Sequence, residues 1–186
     1  MSLALAALAG EQARYRRHAA PLPAIASPPA RWRGVLLSLA GQAVLADYAG
    51  MDSVIPMPAV SAIPGTRAFV LGVATWQGAL LPVLCGDLLC ASERNGGRRE
   101  HCLVIRQPGF HFAITLSRVH GPVSLPVDDY RDSLPADCLF PGWCRGSYAV
   151  AGQPTPILDI ARLLADRVFS DTALLSGTTA PEGVSP

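Results

Sequence analysis

The sequence predicts a mainly β protein of two small antiparallel halves with short helices, and three observations lead there. Pro64 to Leu89 opens on a Pro-Gly turn and sets two apolar runs, Phe69 to Val73 and Ala79 to Leu84, on either side of Trp76-Gln77-Gly78. Two such runs around a short Gly-containing break read as a β-hairpin, and Pro82 suits a strand edge or bulge better than a helix interior. The stretch also has an echo 74 positions on, where Gly72 falls on Gly146, Gly78 on Gly152, Pro82 on Pro156 and Val83-Leu84 on Ile157-Leu158. Finally, Val35 to Met51 resembles Cys102 to Val119 at a slightly different offset: an apolar run, a Gly-containing turn and a second apolar run. One repeat this long predicts a duplicated half-domain rather than a solenoid. Full or partial closure into barrels would hide the edges of such short strands.

In chain order, residues 3–19 read as a helix, with Ser2 as candidate N-cap and Gly10 as its weak point. Pro21, Pro23, Pro28 and Pro29 then mark an extended linker, so residues 1–33 precede the domain. The first half is expected over about 34–90. Val35 to Leu39 and Ala43 to Tyr48 form a hairpin around Ala40-Gly41-Gln42, and Pro56, Pro58 and Pro64 punctuate the way to the central hairpin. The polar stretch Ser92 to Arg99 reads as the boundary between halves. The second half, about 101–160, repeats the programme with strands at Cys102 to Ile105, His111 to Leu116 and Val119 to Leu125. Asp128 to Cys138 is polar and irregular. The last hairpin leads into a helix over about 159–168, where Ile160, Leu163, Leu164 and Val168 share helical spacing. Residues 169–186, small and polar, are expected to be disordered.

Half of the 186 residues are hydrophobic and 16% are charged, a globular composition. Fifteen basic against 14 acidic residues leave no electrostatic footprint for nucleic acid. Every basic residue is arginine, so any single Arg stands out less than usual. The five cysteines, Cys85, Cys90, Cys102, Cys138 and Cys144, contain no C-x-x-C pair and read as reduced small hydrophobes in a cytoplasmic protein. No apolar run is long enough to span a membrane, and the apolar stretch at residues 3–9 lacks the preceding basic residue of a signal peptide.

Catalytic patterns are missing. The chain has no phosphate loop, dinucleotide fingerprint, nucleophile elbow or zinc-helix motif. His101 and Cys102 are adjacent, so on a strand they point to opposite faces and cannot easily share one ion with His111. Asp47, Asp87 and Asp159 lie near strand ends and read as turn and cap residues. No catalytic, metal or cofactor residue is assigned, and no cofactor is expected. The best functional candidate is Trp76-Gln77-Gly78, because a Trp at a hairpin tip suits a partner anchor. It also suits a lid folded over one barrel end.

Leu71-Gly72-Val73-x-x-x-x-Gly78-x-Leu80-Leu81-Pro82-Val83, preceded by Ile63-Pro64-Gly65, resembles the signature of the CheW-like chemotaxis adaptor domain. Ser53-Val54-Ile55-Pro56-Met57-Pro58, Arg118-Val119-x-Gly121 and Leu158-Asp159-Ile160-x-x-Leu163-Leu164 match further segments in family order, over about residues 34–165. The resemblance implies two SH3-like barrels related by a pseudo-twofold. Arg14, Arg16 and Arg17, Leu22-Pro23, Trp32, Leu125-Pro126-Val127-Asp128 and Leu134-Pro135 point to the family branch serving type IV pilus twitching motility.

What the resemblance implies about function is an adaptor without catalysis. Its partners would be the cytoplasmic tip of a methyl-accepting chemoreceptor and the regulatory domain of a CheA-type histidine kinase, with no direct membrane insertion. By family position the receptor-facing residues are Met51, Leu71, Gly72, Trp76, Gln77 and Gly78; the kinase would meet an apolar patch on one barrel. Where the family carries Asn-x-Arg-Gly this chain has Thr75-Trp76-Gln77-Gly78, and two family aspartates appear as Cys85 and Ser117. Two other readings stay open: a CheW-like regulatory or dimerisation module without receptors, and a small cysteine- or metal-dependent enzyme.

Overall fold

The computed structural model describes residue 14 and residues 29–90, 99–107 and 110–167. The expected N-terminal helix, most of the boundary loop and the C-terminal tail lie outside the described residues, and the last helix is described only as far as residue 167.

Among the described residues, ten strands form two five-stranded sheets. The strands are β1 (Arg31–Leu39), β2 (Gln42–Asp47), β3 (Ser53–Pro56), β4 (Val70–Trp76), β5 (Ala79–Leu84), β6 (His101–Gln107), β7 (Phe110–Leu116), β8 (Arg118–Pro126), β9 (Cys144–Val150) and β10 (Gln153–Leu158). Helix α1 (Gly86–Cys90) follows β5 and helix α2 (Ile160–Ala165) follows β10. One sheet has the order β3-β6-β7-β5-β4 and the other β8-β1-β2-β10-β9.

The strand pairing corrects one expectation. The halves were expected to form one barrel each, over about 34–90 and 101–160. Instead residues 53–116 supply a central barrel, while 31–47 and 118–158 together supply a terminal one. The repeat itself is real. Exchanging β1–β5 for β6–β10 converts one strand order into the other. The parallel pairs Val83↔Ala113 and Leu84↔Ile114 recur as Ile157↔Leu45 and Leu158↔Ala46. Each repeat therefore lends its leading hairpin to the other's sheet.

A strap closes each sheet into a barrel. Ser61 and Val73 exchange backbone hydrogen bonds of 2.8 and 2.9 Å, and Arg131 and Ser147 do the same in the terminal barrel. Glycine permits both closures. A Cβ on Gly72, whose φ is +139°, would overlap the Ser61 carbonyl, and one on Gly146 would lie 2.5 Å from the Arg131 carbonyl. Pro82 is tolerated in β5 because pairing with β7 begins only at Val83, so the proline has a strand neighbour on the β4 side alone.

The period-2 alternation explains why the middle strands look apolar throughout. On β6, Cys102 and Val104 fill the central barrel, whereas Leu103 and Ile105 enter a core shared by both sheets. On β2, Leu45 fills the terminal barrel while Val44 and Ala46 join the shared core. Phe112, Leu37, Leu116 and Leu163 also meet there, each essentially without solvent exposure. Full burial of such side chains stabilises by roughly 1.5–3 kcal/mol apiece.

The helix starts differ between repeats. Asp159 caps α2, its carboxylate accepting from the Ala161 and Arg162 amides at 3.0 and 3.2 Å. The equivalent position before α1 is the buried Cys85, and there the Gly86 amide donates to Thr115 Oγ1 at 3.0 Å. A hydroxyl from β7 thus stands in for the missing cap.

Candidate functional site

The β4–β5 turn of the central barrel gathers three of the six sequence-assigned positions. Gln77 and Gly78 have φ of +50° and +77°, the pair of positive angles that a two-residue type I′ hairpin needs. Gly meets that requirement freely; Gln tolerates it at about 1 kcal/mol. Trp76 continues the inward alternation of Gly72 and Ala74, so its ring packs on the barrel interior and covers that end.

The residue that organises the tip is one the sequence reading missed. Arg106, near the end of β6, places its guanidinium carbon 5.4 Å from the centroid of the Trp76 ring. Its Nη2 donates to Gln77 Oε1 at 3.2 Å, and its Nε lies 3.4 Å from Asp52 Oδ1. The guanidinium is held over an aromatic face by two oxygens, and half of its side-chain surface stays exposed. Directly across the β6–β7 pair, His111 Nε2 is 2.6 Å from the Leu80 carbonyl, a contact that needs the proton on Nε2. Leu80 is 67% exposed, the most exposed of the large hydrophobic residues described.

The other three assigned residues lie outside the turn. Leu71 sits at a register shift in β4 and packs onto the central barrel's interior. Gly72 is buried under the strap, about four residues or 13 Å of strand from the turn. Met51 is half-buried against the shared core and joins the tip only through its neighbour Asp52, the Arg106 partner. No sequence signal marked Arg106, which lies 29 positions from Gln77 in a chain whose basic residues are all arginine.

Elsewhere two aspartates are paired within the fold. Asp47 accepts from Trp32 Nε1 at 3.2 Å and Arg145 at 2.8 Å; Asp87, 3% exposed, pairs with Arg99 at 2.7 Å. All five cysteines are free thiols. Burial pushes the Cys102 thiol up to about 11 and raises those of Cys90 and Cys144 further, the reverse of what a nucleophile needs. Cys138 and Cys144 approach to 4.0 Å between sulfurs. No group of three potential metal ligands occurs among the described residues. Among those residues, too, no helix is long and apolar enough to cross a membrane.

Residues 33–168 match the family model of the CheW-like domain. The chain is 31% identical over 125 residues to Protein PilI of Pseudomonas aeruginosa, covering 66% of this chain and 69% of that protein. The fold is similar to the crystal structure of the scaffolding protein TtCheW from Thermoanaerobacter tengcongensis. That likeness has a TM-score of 0.61 at 16% identity, over 71% of this chain and 90% of that one. Two strap-closed five-stranded barrels around a shared core, a family match across most of the chain and the PilI likeness lead to one assignment: the chain belongs to the CheW-like domain family.

Proposed function

We propose that the chain is a non-enzymatic, cytoplasmic signalling adaptor that couples a methyl-accepting chemoreceptor to a CheA-type histidine kinase in a type IV pilus, twitching-motility pathway. The observation that carries this reading is family membership over residues 33–168 together with the 31% identity to PilI. The tip formed by Trp76, Gln77 and Gly78 is the receptor-facing surface, with Arg106 and Leu80 added to it. Met51, Leu71 and Gly72 support that surface from behind by packing and barrel closure. The kinase's regulatory domain meets apolar side chains of the terminal barrel, where Tyr48, Val127, Tyr130 and Leu139 are exposed.

An adaptor needs no reaction chemistry. By binding receptor and kinase in fixed geometry, it lets receptor state bias kinase state through contacts that differ between the two states. Recruitment to membrane-associated receptor arrays follows from those contacts rather than from any insertion of its own. The test is co-sedimentation of the purified chain with receptor-bearing membranes, with and without the kinase. Kinase recruitment that depends on the chain supports the adaptor. Kinase binding without any receptor dependence would move the reading to a receptor-independent regulatory module.

A further inference from the structure

We propose that Arg106 is the cation through which this tip recognises its partner, and that the partner presents a carboxylate to Arg106 beside an apolar side chain that packs on Leu80. This inference rests on the partner-docking reading of the tip and names the chemistry it selects.

The internal repeat supplies the control. The β9–β10 turn has the same backbone, Ala151 and Gly152 showing φ of +50° and +80° against +50° and +77° for Gln77 and Gly78. Its side chains are plain by comparison: Val150 stands for Trp76, Ala151 for Gln77 and Pro154 for Leu80. The leading hairpins correspond at 68 positions, so Ser38 is the counterpart of Arg106, Ala43 of His111 and His120 of Asp52. Ser38 and His120 do touch, at 2.9 Å, just as Arg106 and Asp52 do. The fold therefore wants a polar pair at this place, but it does not require a cation, a tryptophan or an exposed leucine. All three occur together at one tip only.

The arrangement suits an acidic partner. Arg106 is already oriented by Gln77, Asp52 and the Trp76 face, so little side-chain freedom is lost when a carboxylate docks on its planar fork. His111 lies opposite, and Asp52 is the carboxylate in contact with the guanidinium. Trp and Arg together with an apolar anchor are also the composition of interface hot spots. A partner carboxylate would compete with Asp52 for Arg106.

The test titrates the purified cytoplasmic hairpin fragment of a pilus-pathway chemoreceptor into the full chain by calorimetry. Arg106→Gln is expected to bind about tenfold more weakly, the scale of a lost charge-assisted hydrogen bond. Asp52→Asn, which frees the guanidinium, is expected to bind several-fold more tightly. The double variant Gln77→Arg/Arg106→Gln, which moves the cation onto the turn, is expected to regain most of the lost affinity. Thermal melts confirm that each variant is folded. Unchanged binding by Arg106→Gln, or Asp52→Asn weakening binding as Arg106→Gln does, would overturn the inference and leave the adaptor reading standing. Absence of binding by the wild-type chain would overturn both.

Discussion

Replacing Gly72 with alanine should unfold a large part of the margin that holds the central barrel closed. At φ +139° an L-residue is strained by about 1–3 kcal/mol. The new methyl group would overlap the Ser61 carbonyl, so the strap must move and its two reciprocal hydrogen bonds with Val73 are lost, at about 0.5–1.5 kcal/mol each. Together these make roughly 4 kcal/mol, against a total stability on the order of 5–15 kcal/mol for a domain. Gly78→Ala is the control: φ is +77°, nothing lies within 4 Å of the added methyl, and the cost is about 1 kcal/mol. Urea denaturation followed by circular dichroism separates them. With a slope of about 2 kcal/mol per molar, Gly72→Ala should lower the midpoint by about 2 M and Gly78→Ala by about 0.5 M. Equal shifts would refute the strap account. The pair matters for function, because a Gly72 variant that fails to bind a partner would be failing through its fold, whereas Gly78 lies on the turn itself.

Three further outcomes can be checked on the same apparatus. Thr115→Val leaves the Gly86 amide without its acceptor at the start of α1 and should cost about 1–2 kcal/mol. Arg99→Met strands the buried Asp87 carboxylate and should cost about 3 kcal/mol; adding Asp87→Asn should recover most of it. Stability should also fall in alkali. The Cys102 thiol is raised from 9 to about 11 by burial, so the unfolded chain releases this proton first. The contribution is fully present below pH 9 and is lost as pH rises towards 11; Cys102→Ala should make that part of the profile less steep, with Cys90 and Cys144, also raised by burial, carrying the rest.

Much of the fold was legible because local signals agree with it. The β4–β5 and β9–β10 hairpins fall on the 74-residue echo, their turn glycines at Gly78 and Gly152 both take positive φ, and Asp159 caps the helix whose spacing the apolar residues marked. The sharing of hairpins between barrels was not legible. It rests on pairings between the repeats, the antiparallel pairs β1–β8 and β3–β6 and two parallel junctions of two residue pairs each, and because both repeats carry the same pattern, pairing within or between them satisfies the sequence equally. Helix α1 was missed because Cys85 stands where its twin has a capping aspartate, and the substitute hydroxyl comes from Thr115, far along the chain. At the tip, Trp76 was readable from its place beside Gly78. Of its two readings, the lid agrees with the structure, since the ring closes the barrel end; the same ring presents a face to Arg106.

The way the barrels share chain also sets the order in which they can be completed during synthesis. All five strands of the central barrel lie between Ser53 and Leu116, so they are available while the last third of the chain is still being made. The terminal barrel cannot be completed until β10 has been made, and its first hairpin, β1–β2, must wait with both sides unpaired until β8 is made and with its β2 side unpaired until β10 is. The nascent chain thus finishes the barrel carrying Trp76, Gln77 and Arg106 before the barrel formed by its two ends. Until then the early hairpin's open edges are templates for pairing with another chain.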